Sequence, residues 1–370
     1  MDSTPAFCPN LDCPTRGQTG QGNIGIHSWK AQRFRCRPCR KTFVVTQGTA
    51  FYRLHTPVET VTLVVTWLAH GCPVQAIVVA FGFDERTVAA WLIRAGRQRQ
   101  AVHAHLVQTR RDLGQVQADE IRVKKQGGIV WMALAMMVST RLWRAGEVRE
   151  HRDLSLIRRL IERVRVCALR RAILFCTDGL HTSIRAMRAT FRDAVRTGTC
   201  GRPRLRPWKR LLIAQVVKRY ERRRVVEVER RIGRGSAAQV EHIRCRSQGA
   251  GVINTASIER LNATCRERLS SLTRRGRALA RQTCTLRHGM YLIGTVDNCC
   301  TPQASLRLTK MAAEGAGVDR TPAMAAGITA HGWRVRELLS FHVPPPRWTP
   351  PKRRGRPSRV LQLLVERWCS

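Results

Sequence analysis

The chain has 370 residues, 43% of them hydrophobic, with 66 Lys+Arg against 25 Asp+Glu and a formal net charge of +41. That apolar content is ample for buried cores in two or three domains and excludes disorder as a description of the whole. A positive excess of this size repels itself in a compact fold unless a polyanion shares it, and a nucleic-acid backbone is the usual one. The plainer alternative is a surface on which Arg has replaced Lys for compositional reasons.

The opening "MDSTPAFCPN" has neither a basic n-region nor an apolar h-region, so no secretory signal is expected. The longest apolar stretch, "VTLVVTWLAHGCPVQAIVVAFGF", is interrupted by His70, Gly71, Pro73 and Gln75, which argues against a membrane span. A soluble cytoplasmic, nucleoid-associated protein is the expectation. In that compartment its 14 cysteines are metal ligands or buried thiols rather than disulfides.

Residues 1–50 carry two cysteine pairs, Cys8 with Cys13 and Cys36 with Cys39, at C-x4-C and C-x2-C spacing. Tetrahedral Zn²⁺ needs four soft ligands at one point, and two short knuckles on adjacent hairpins deliver them without a large core. Four thiolates leave no open position, so a structural zinc ribbon is predicted. The alternative is four unrelated thiols in an apolar cluster. The remaining cysteines, Cys299 and Cys300 among them, read as packing residues.

Residues 56–100 follow helix-turn-helix spacing: helices over about 58–69 and 73–80, a turn at Gly82, and a third helix capped by Asp84. That helix would present Arg86, Thr87 and Arg94 to a major groove. A plain three-helix bundle is the competing possibility.

From 115 to 300 strands and helices alternate. "LGQVQADEIRV" predicts a strand ending in Asp119 and Glu120. "GGIVWMALAMMV" reads as a buried central strand and "TRLWRAGEVRE" as a third. After a helix over about 155–166, "RAILFCTDG" drives a buried strand into Asp178 beside a glycine turn, where open α/β sheets hold their sites. Glu259 shares one face of its helix with Asn262 and Arg266, while Leu261, Leu269 and Leu272 fall inward. Singly, Asp119 reads as a turn or helix cap, Asp178 as an Asp-Gly turn and Glu259 as a solvated Glu. Together the three suggest a carboxylate triad for two Mg²⁺ (or Mn²⁺) ions, held about 3.5 to 4 Å apart in two-metal phosphodiester chemistry. The stretch 196–251 reads as a mostly helical basic insertion contacting DNA, within which Glu227, Glu229 or Glu241 compete as the third acid. Residues 301–370 read as a linker and flexible basic tail. There "PPKRRGRPSR", with Arg354 and Arg356, resembles an AT-hook for a narrow minor groove.

The order of these parts, with "ADEIRV", "FCTDG" and "IERLNATCRERLSSLTRRGRALAR", resembles the DDE transposases of the bacterial insertion-sequence-one type over roughly residues 5–295. The resemblance implies an α/β, RNase H-like catalytic domain in a multidomain chain that cleaves DNA at terminal inverted repeats and transfers the strand to a target. It implies Asp119, Asp178 and Glu259 as the metal-holding triad, with Glu120 in reserve, and Arg266, Arg260 and Asn262 beside substrate DNA. Pairing two DNA ends implies at least a homodimer. A non-catalytic DNA-binding regulator and a related RNase H-like nuclease are the alternatives. Three departures stand out: the wide first cysteine pair, the long interval between Asp178 and Glu259, and the C-terminal extension.

Overall fold

A computed structural model describes residues 3–196, 198, 202–222, 224–272, 279–308, 317–350 and 358–368. The chain divides into two compact units, Met1–Val61 with Leu339–Ser370, and Thr62–Leu338.

In the first unit β1 (Ile24–Ser28), β2 (Arg33–Cys36) and β3 (Thr42–Val44) make an antiparallel sheet in the order β1-β2-β3. Its apolar core is little more than Ile24, Phe34 and Phe43 around buried cysteines. A core of that size does not hold such a segment by hydrophobic burial alone, and a crosslink or metal is the usual remedy.

Three helices follow: α1 (Val58–Ala69), α2 (Val74–Phe81) and α3 (Glu85–Leu106). Gly82 ends α2 at φ 68°, a left-handed cap that glycine takes without a Cβ penalty. Asp84 caps α3 by accepting from the Arg86 amide at 2.7 Å. Trp67, Phe81, Phe83 and Trp91 form a continuous chain of ring contacts that sets the helix packing. The third helix runs beyond the expected end at 100. Its second half buries Ala95, Gly96, Arg99 and Val102.

The large sheet of the second unit opens with the antiparallel meander β4 (Gln115–Lys125), β5 (Gly128–Met137) and β6 (Trp143–Arg149). After α4 (Leu154–Val166), β7 (Ile173–Asp178) pairs in parallel with β4. Then come α5 (His181–Thr190), a small hairpin of β8 (Arg192–Val195) and β9 (Arg204–Pro207), and β10 (Leu211–Glu221), parallel to β7. The final strand, β11 (Arg224–Arg234), is antiparallel to β10, giving the order β11-β10-β7-β4-β5-β6. The helices α6 (Ala237–Gln248), α7 (Ala256–Arg268), α8 (Thr283–Cys300), α9 (Pro322–Ala325) and α10 (Val335–Ser340) follow.

Strand alternation sends two sets of side chains to opposite faces. Val116, Ala118, Phe175 and Ile213 pack under α4 and α5. Leu174, Cys176, Leu212 and Ala214 meet α6, while Ile121, Val123, Met132 and Leu134 meet α7 and α8. Helix α8 also receives α3, where a Cβ on Gly96 would lie 2.4 Å from the His288 carbonyl oxygen.

Two expectations are corrected here. The stretch 196–251 is not a mostly helical insertion: β9, β10 and β11 hold more than twice as many of its residues as α6, its only helix among the described residues. Leu211 to Val216 are buried inside the sheet, so β10 belongs to the central architecture. Arg and Glu at helical spacing mimic a charged helix, but the branched pairs Val216–Val217 and Val225–Val226 favour a pleated surface, and pairing with β7 selects the strand. The strand β4 also continues through Asp119 and Glu120, because Ile121 and Val123 keep alternating into the core.

The flexible tail is the third correction. Leu339 is buried, and its carbonyl accepts from the Ala50 amide at 3.2 Å. Arg16 donates to the carbonyls of Pro346 and Arg347 at 2.7 and 3.1 Å, and His342 Nε2 lies 2.7 Å from the Val45 carbonyl oxygen. The proline run has no amides to pair within a sheet, but it keeps its carbonyls, and Arg16 uses them. A last helix, α11 (Arg359–Trp368), follows. The AT-hook-like residues Arg354 and Arg356 lie outside the described residues, as does the basic stretch 273–278 that follows the Glu259 helix.

Candidate functional site

Beyond the Gln117–Cys176 pair, β4 and β7 are no longer bonded to each other, and β7 ends at Asp178. The crevice at that parting is where open α/β sheets gather ligands. Asp119 and Asp178 project from the face carrying α6 and α7, and Glu120 from the opposite face, yet one ligand oxygen of each lies within 4.8 Å of the others. Glu259, from the first turn of α7, lines the same cleft of about 770 Å³ together with Asp119, Asp178, Asn262 and Arg266.

Each carboxylate is held. Asp119 accepts from the Glu120 amide at 2.8 Å and from Asn262 Nδ2 at 2.7 Å. Asp178 accepts from the Leu180 amide at 3.1 Å, and Gln215 Nε2 fixes that turn by donating to the carbonyls of Asp178 and Leu180. Arg152, stacked 5.0 Å over Trp131, donates to Glu120 at 2.8 Å and to Asp178 at 3.2 Å. Glu259 takes hydrogen bonds from Lys218 Nζ and, at 2.6 Å, from Thr255 Oγ1.

Burial and then the neighbouring charges of Asp178 and Glu259 push the Asp119 carboxyl up to about 6. Burial, together with Asp178 and Asp119, pushes Glu120 up to about 7 against the pull of Arg152. Burial also raises Glu259, but the hydrogen bonds from Lys218 and Thr255 outweigh it and hold that carboxyl below its usual range. Acids converging at this cost are what a divalent cation relieves, and oxygen donors suit Mg²⁺ or Mn²⁺. The donor set fits such an ion.

A residue with no obvious sequence signal seats Glu259. Gln117 is fully buried on β4, two positions before Asp119 and on the same face. Its Oε1 accepts from the Ile258 amide at 2.9 Å and its Nε2 donates to the Asn254 carbonyl at 2.7 Å. Thr255 gives α7 no side-chain cap, so Gln117 satisfies a first-turn amide from across the cleft wall. Gln117, Gln215, Arg152, Lys218 and Thr255 were all missed by sequence reasoning. The one available clue was glutamine at inward strand positions, since buried polar side chains are there to be bonded.

Other predicted residues distribute differently. Asn262 is buried and serves Asp119, rather than standing exposed toward a nucleic acid. Arg260 points away from the cleft into a separate pocket. On α3 Arg86 is exposed, and Thr87 and Arg94 are partly so. The competing acids pair elsewhere, Glu227 with Arg219, Glu229 with Arg231 and Glu241 with Arg244, and none lines the cleft.

In the first unit Cys8 and Cys39 Sγ atoms lie 3.6 Å apart and those of Cys13 and Cys36 3.7 Å apart, with all four mutually within 4.8 Å. Zinc–thiolate bonds of 2.3 Å at tetrahedral angles place sulfurs about 3.8 Å apart, whereas a disulfide would bring them to about 2.05 Å. Burial raises the Cys8 thiol and pushes Cys36 up to about 11, a penalty on the metal-free thiolates. The group could bind a structural zinc, wide first pair included.

No protein-family model matches this chain, and no curated protein matches it either. Among the described residues no helix is long and apolar enough to cross a membrane.

Proposed function

We propose that the protein is a DDE-type transposase that cleaves DNA strands at element ends and transfers them with the aid of divalent cations. One observation carries this reading: Asp119 from β4, Asp178 from the end of β7 and Glu259 from α7 line a single cleft. The sheet supports it too, since a three-strand meander joined to parallel strands is the RNase H-like arrangement that the motif resemblance implies. Asp119, Asp178 and Glu259, with Glu120 behind them, would hold two Mg²⁺ or Mn²⁺ ions. When bound, such ions lower the pKa of water and stabilise charge on phosphoryl oxygens.

The chain's own groups do the rest. Asn262 orients Asp119, Gln117 seats Glu259, and Gln215 fixes the Asp178 turn. Arg152 and Lys218, each already paired with a carboxylate, are free to move to DNA phosphates once cations take their place. In cleavage a water oxygen bonds to phosphorus as the P–O3′ bond breaks, and the departing O3′ takes a proton. In transfer that 3′-hydroxyl loses its proton and its oxygen bonds to a target phosphorus in the same cleft as the target P–O3′ bond breaks, and the departing O3′ takes a proton.

The other parts fit a DNA partner. Beyond Val216 the β10–β11 ribbon continues past the sheet, almost wholly exposed, from Lys218 at the cleft wall. Two-stranded ribbons fit a major groove. A zinc-bound Cys8/Cys13/Cys36/Cys39 ribbon and the Arg86, Thr87 and Arg94 face of α3 would hold element ends. Two such chains would pair two ends.

The test is Asp178→Asn with a labelled duplex bearing an element end and Mg²⁺. The variant is expected to bind the duplex nearly as wild type does and to cut it at least about 1000-fold more slowly, as befits loss of a metal-holding carboxylate in charge stabilisation. Equal nicking by the variant defeats the assignment.

A further inference from the structure

On the far side of α7 from the acidic cleft lies a second pocket of about 280 Å³, into which two arginines face. Its walls are Arg141 from the β5–β6 turn, Arg260 from α7 and a ring of neutral donors that includes Ser257, Thr264 and Gln303. Among the described residues its only carboxylate is Asp297. That group is buried and lies 3.6 Å from Arg268; burial raises its carboxyl above the usual range, and Arg268 and then Arg260 offset this only in part. One carboxylate therefore answers to three guanidinium groups.

Arg141 is the telling residue. Its φ is +57°, the left-handed region in which glycine or asparagine is expected and arginine is uncommon. The turn that places it there is tight: the Met137 amide donates to the Leu142 carbonyl at 2.9 Å. Burial and then the facing charge of Arg260 disfavour its protonated form. Neither Arg141 nor Arg260 has a side-chain hydrogen bond or ion pair among the described residues. Backbone strain and opposed like charges are kept together at functional positions more often than at inert ones. A bound anion repays both, because two guanidinium groups on one phosphoryl group give charge-assisted hydrogen bonds and cancel the repulsion.

We propose that Arg141 and Arg260 form a phosphate-binding site, separate from the acidic cleft, that takes a phosphoryl group backed by the neutral donors of the pocket. The volume suits one or two phosphoryl groups. The phosphoryl group comes either from a DNA backbone or from free pyrophosphate, and only the DNA source rests on the transposase reading. On that reading a strand lying across α7 would touch Arg260 on one side and the carboxylate cleft beside Glu259 on the other.

The experiment follows thermal unfolding and equilibrium binding of the full chain with pyrophosphate and, separately, with a duplex oligonucleotide over a salt series. Arg141→Gly removes the guanidinium while suiting the left-handed turn, so it should fold at least as well as wild type. Arg53→Gly removes the same charge at φ +57° on an exposed turn in the other unit and serves as the matched control. Pyrophosphate binding is expected to weaken about tenfold or more in Arg141→Gly and in Arg260→Gln, and to stay at the wild-type value in Arg53→Gly. Should Arg141→Gly bind pyrophosphate as wild type does, or lose no more than Arg53→Gly, the site is refuted. A DNA source is supported if Arg141→Gly also lowers the salt slope of duplex binding by about one; an unchanged slope with pyrophosphate binding lost leaves the free anion as the ligand. Nicking is read separately: wild-type protein that binds pyrophosphate but never nicks sinks the transposase reading and leaves this site standing.

Discussion

Replacing Gln117 with leucine tests the geometry of the cleft most directly. The side chain is fully buried and makes two hydrogen bonds, to the Ile258 amide at 2.9 Å and the Asn254 carbonyl at 2.7 Å. Losing both removes about 1 kcal/mol each in net terms. Asn254 is only half-buried, so its carbonyl recovers water, but Ile258 is enclosed and its amide is a first-turn helix donor without another cap. Stranding that donor adds about 1–2 kcal/mol, for a total loss of about 3–4 kcal/mol, leucine being close enough in volume to avoid a large cavity. Urea unfolding of the wild-type and Gln117→Leu proteins, followed by fluorescence, measures it. Mn²⁺ titration of the same samples should show weakened binding, because the start of α7 and with it Glu259 are no longer tied to β4. A stability change under about 0.5 kcal/mol would mean that packing, not Gln117, seats α7, and the account of how Glu259 reaches the cleft would fail.

Three further outcomes are expected. Cys36→Ser should leave zinc bound substoichiometrically by elemental analysis and unfold the first unit, since its few core residues do not hold it unaided; retention of one tightly bound zinc per chain would exclude the four-cysteine centre. Mn²⁺ affinity should fall as pH drops from 8 to 5.5, because Asp119 at about 6 and Glu120 at about 7 bind cations only after losing protons, so protonation competes with metal below those values. The same carboxyls are raised by folding, so in the metal-free protein their ionisation costs stability as pH climbs from about 4, near their ordinary value, to about 7; a metal affinity flat between pH 8 and 5.5 would contradict the raised values. Gly294→Ala should destabilise the second unit by about 1–3 kcal/mol in thermal unfolding, since the added Cβ falls 2.3 Å from Trp143 Cε3 in a packed core; an unchanged midpoint would show that Trp143 has room to move.

Much of the local structure was legible because it is dictated by neighbours in sequence. The cap at Asp84, the glycine turn at 82, the amphipathic α4 and the buried β5 and β7 all follow from side-chain period and backbone sterics within a few residues. The candidate acids were legible for a related reason. In so basic a chain a carboxylate at the end of an apolar run has few roles, and Asp119, Asp178 and Glu259 line one cleft, although the acid within 4.8 Å of both aspartates among the described residues is Glu120.

What tertiary structure alone decided was everything that depends on partners distant in sequence. The charges between 204 and 234 have helical spacing, yet Leu211 to Val216 pair with β7 and become a core strand, because sheet pairing outweighs the small energies of local propensity. Glu120 entered the cluster from the opposite face of β4 because β7 stops at Asp178 and leaves the edge open. Arg152, Lys218 and Gln117 acquired their roles through contacts reaching from 26 to 141 residues along the chain. No period or spacing announces such contacts: a hydrogen bond across a cleft has no sequence signature, only the requirement that a buried polar group find its partner when the chain closes.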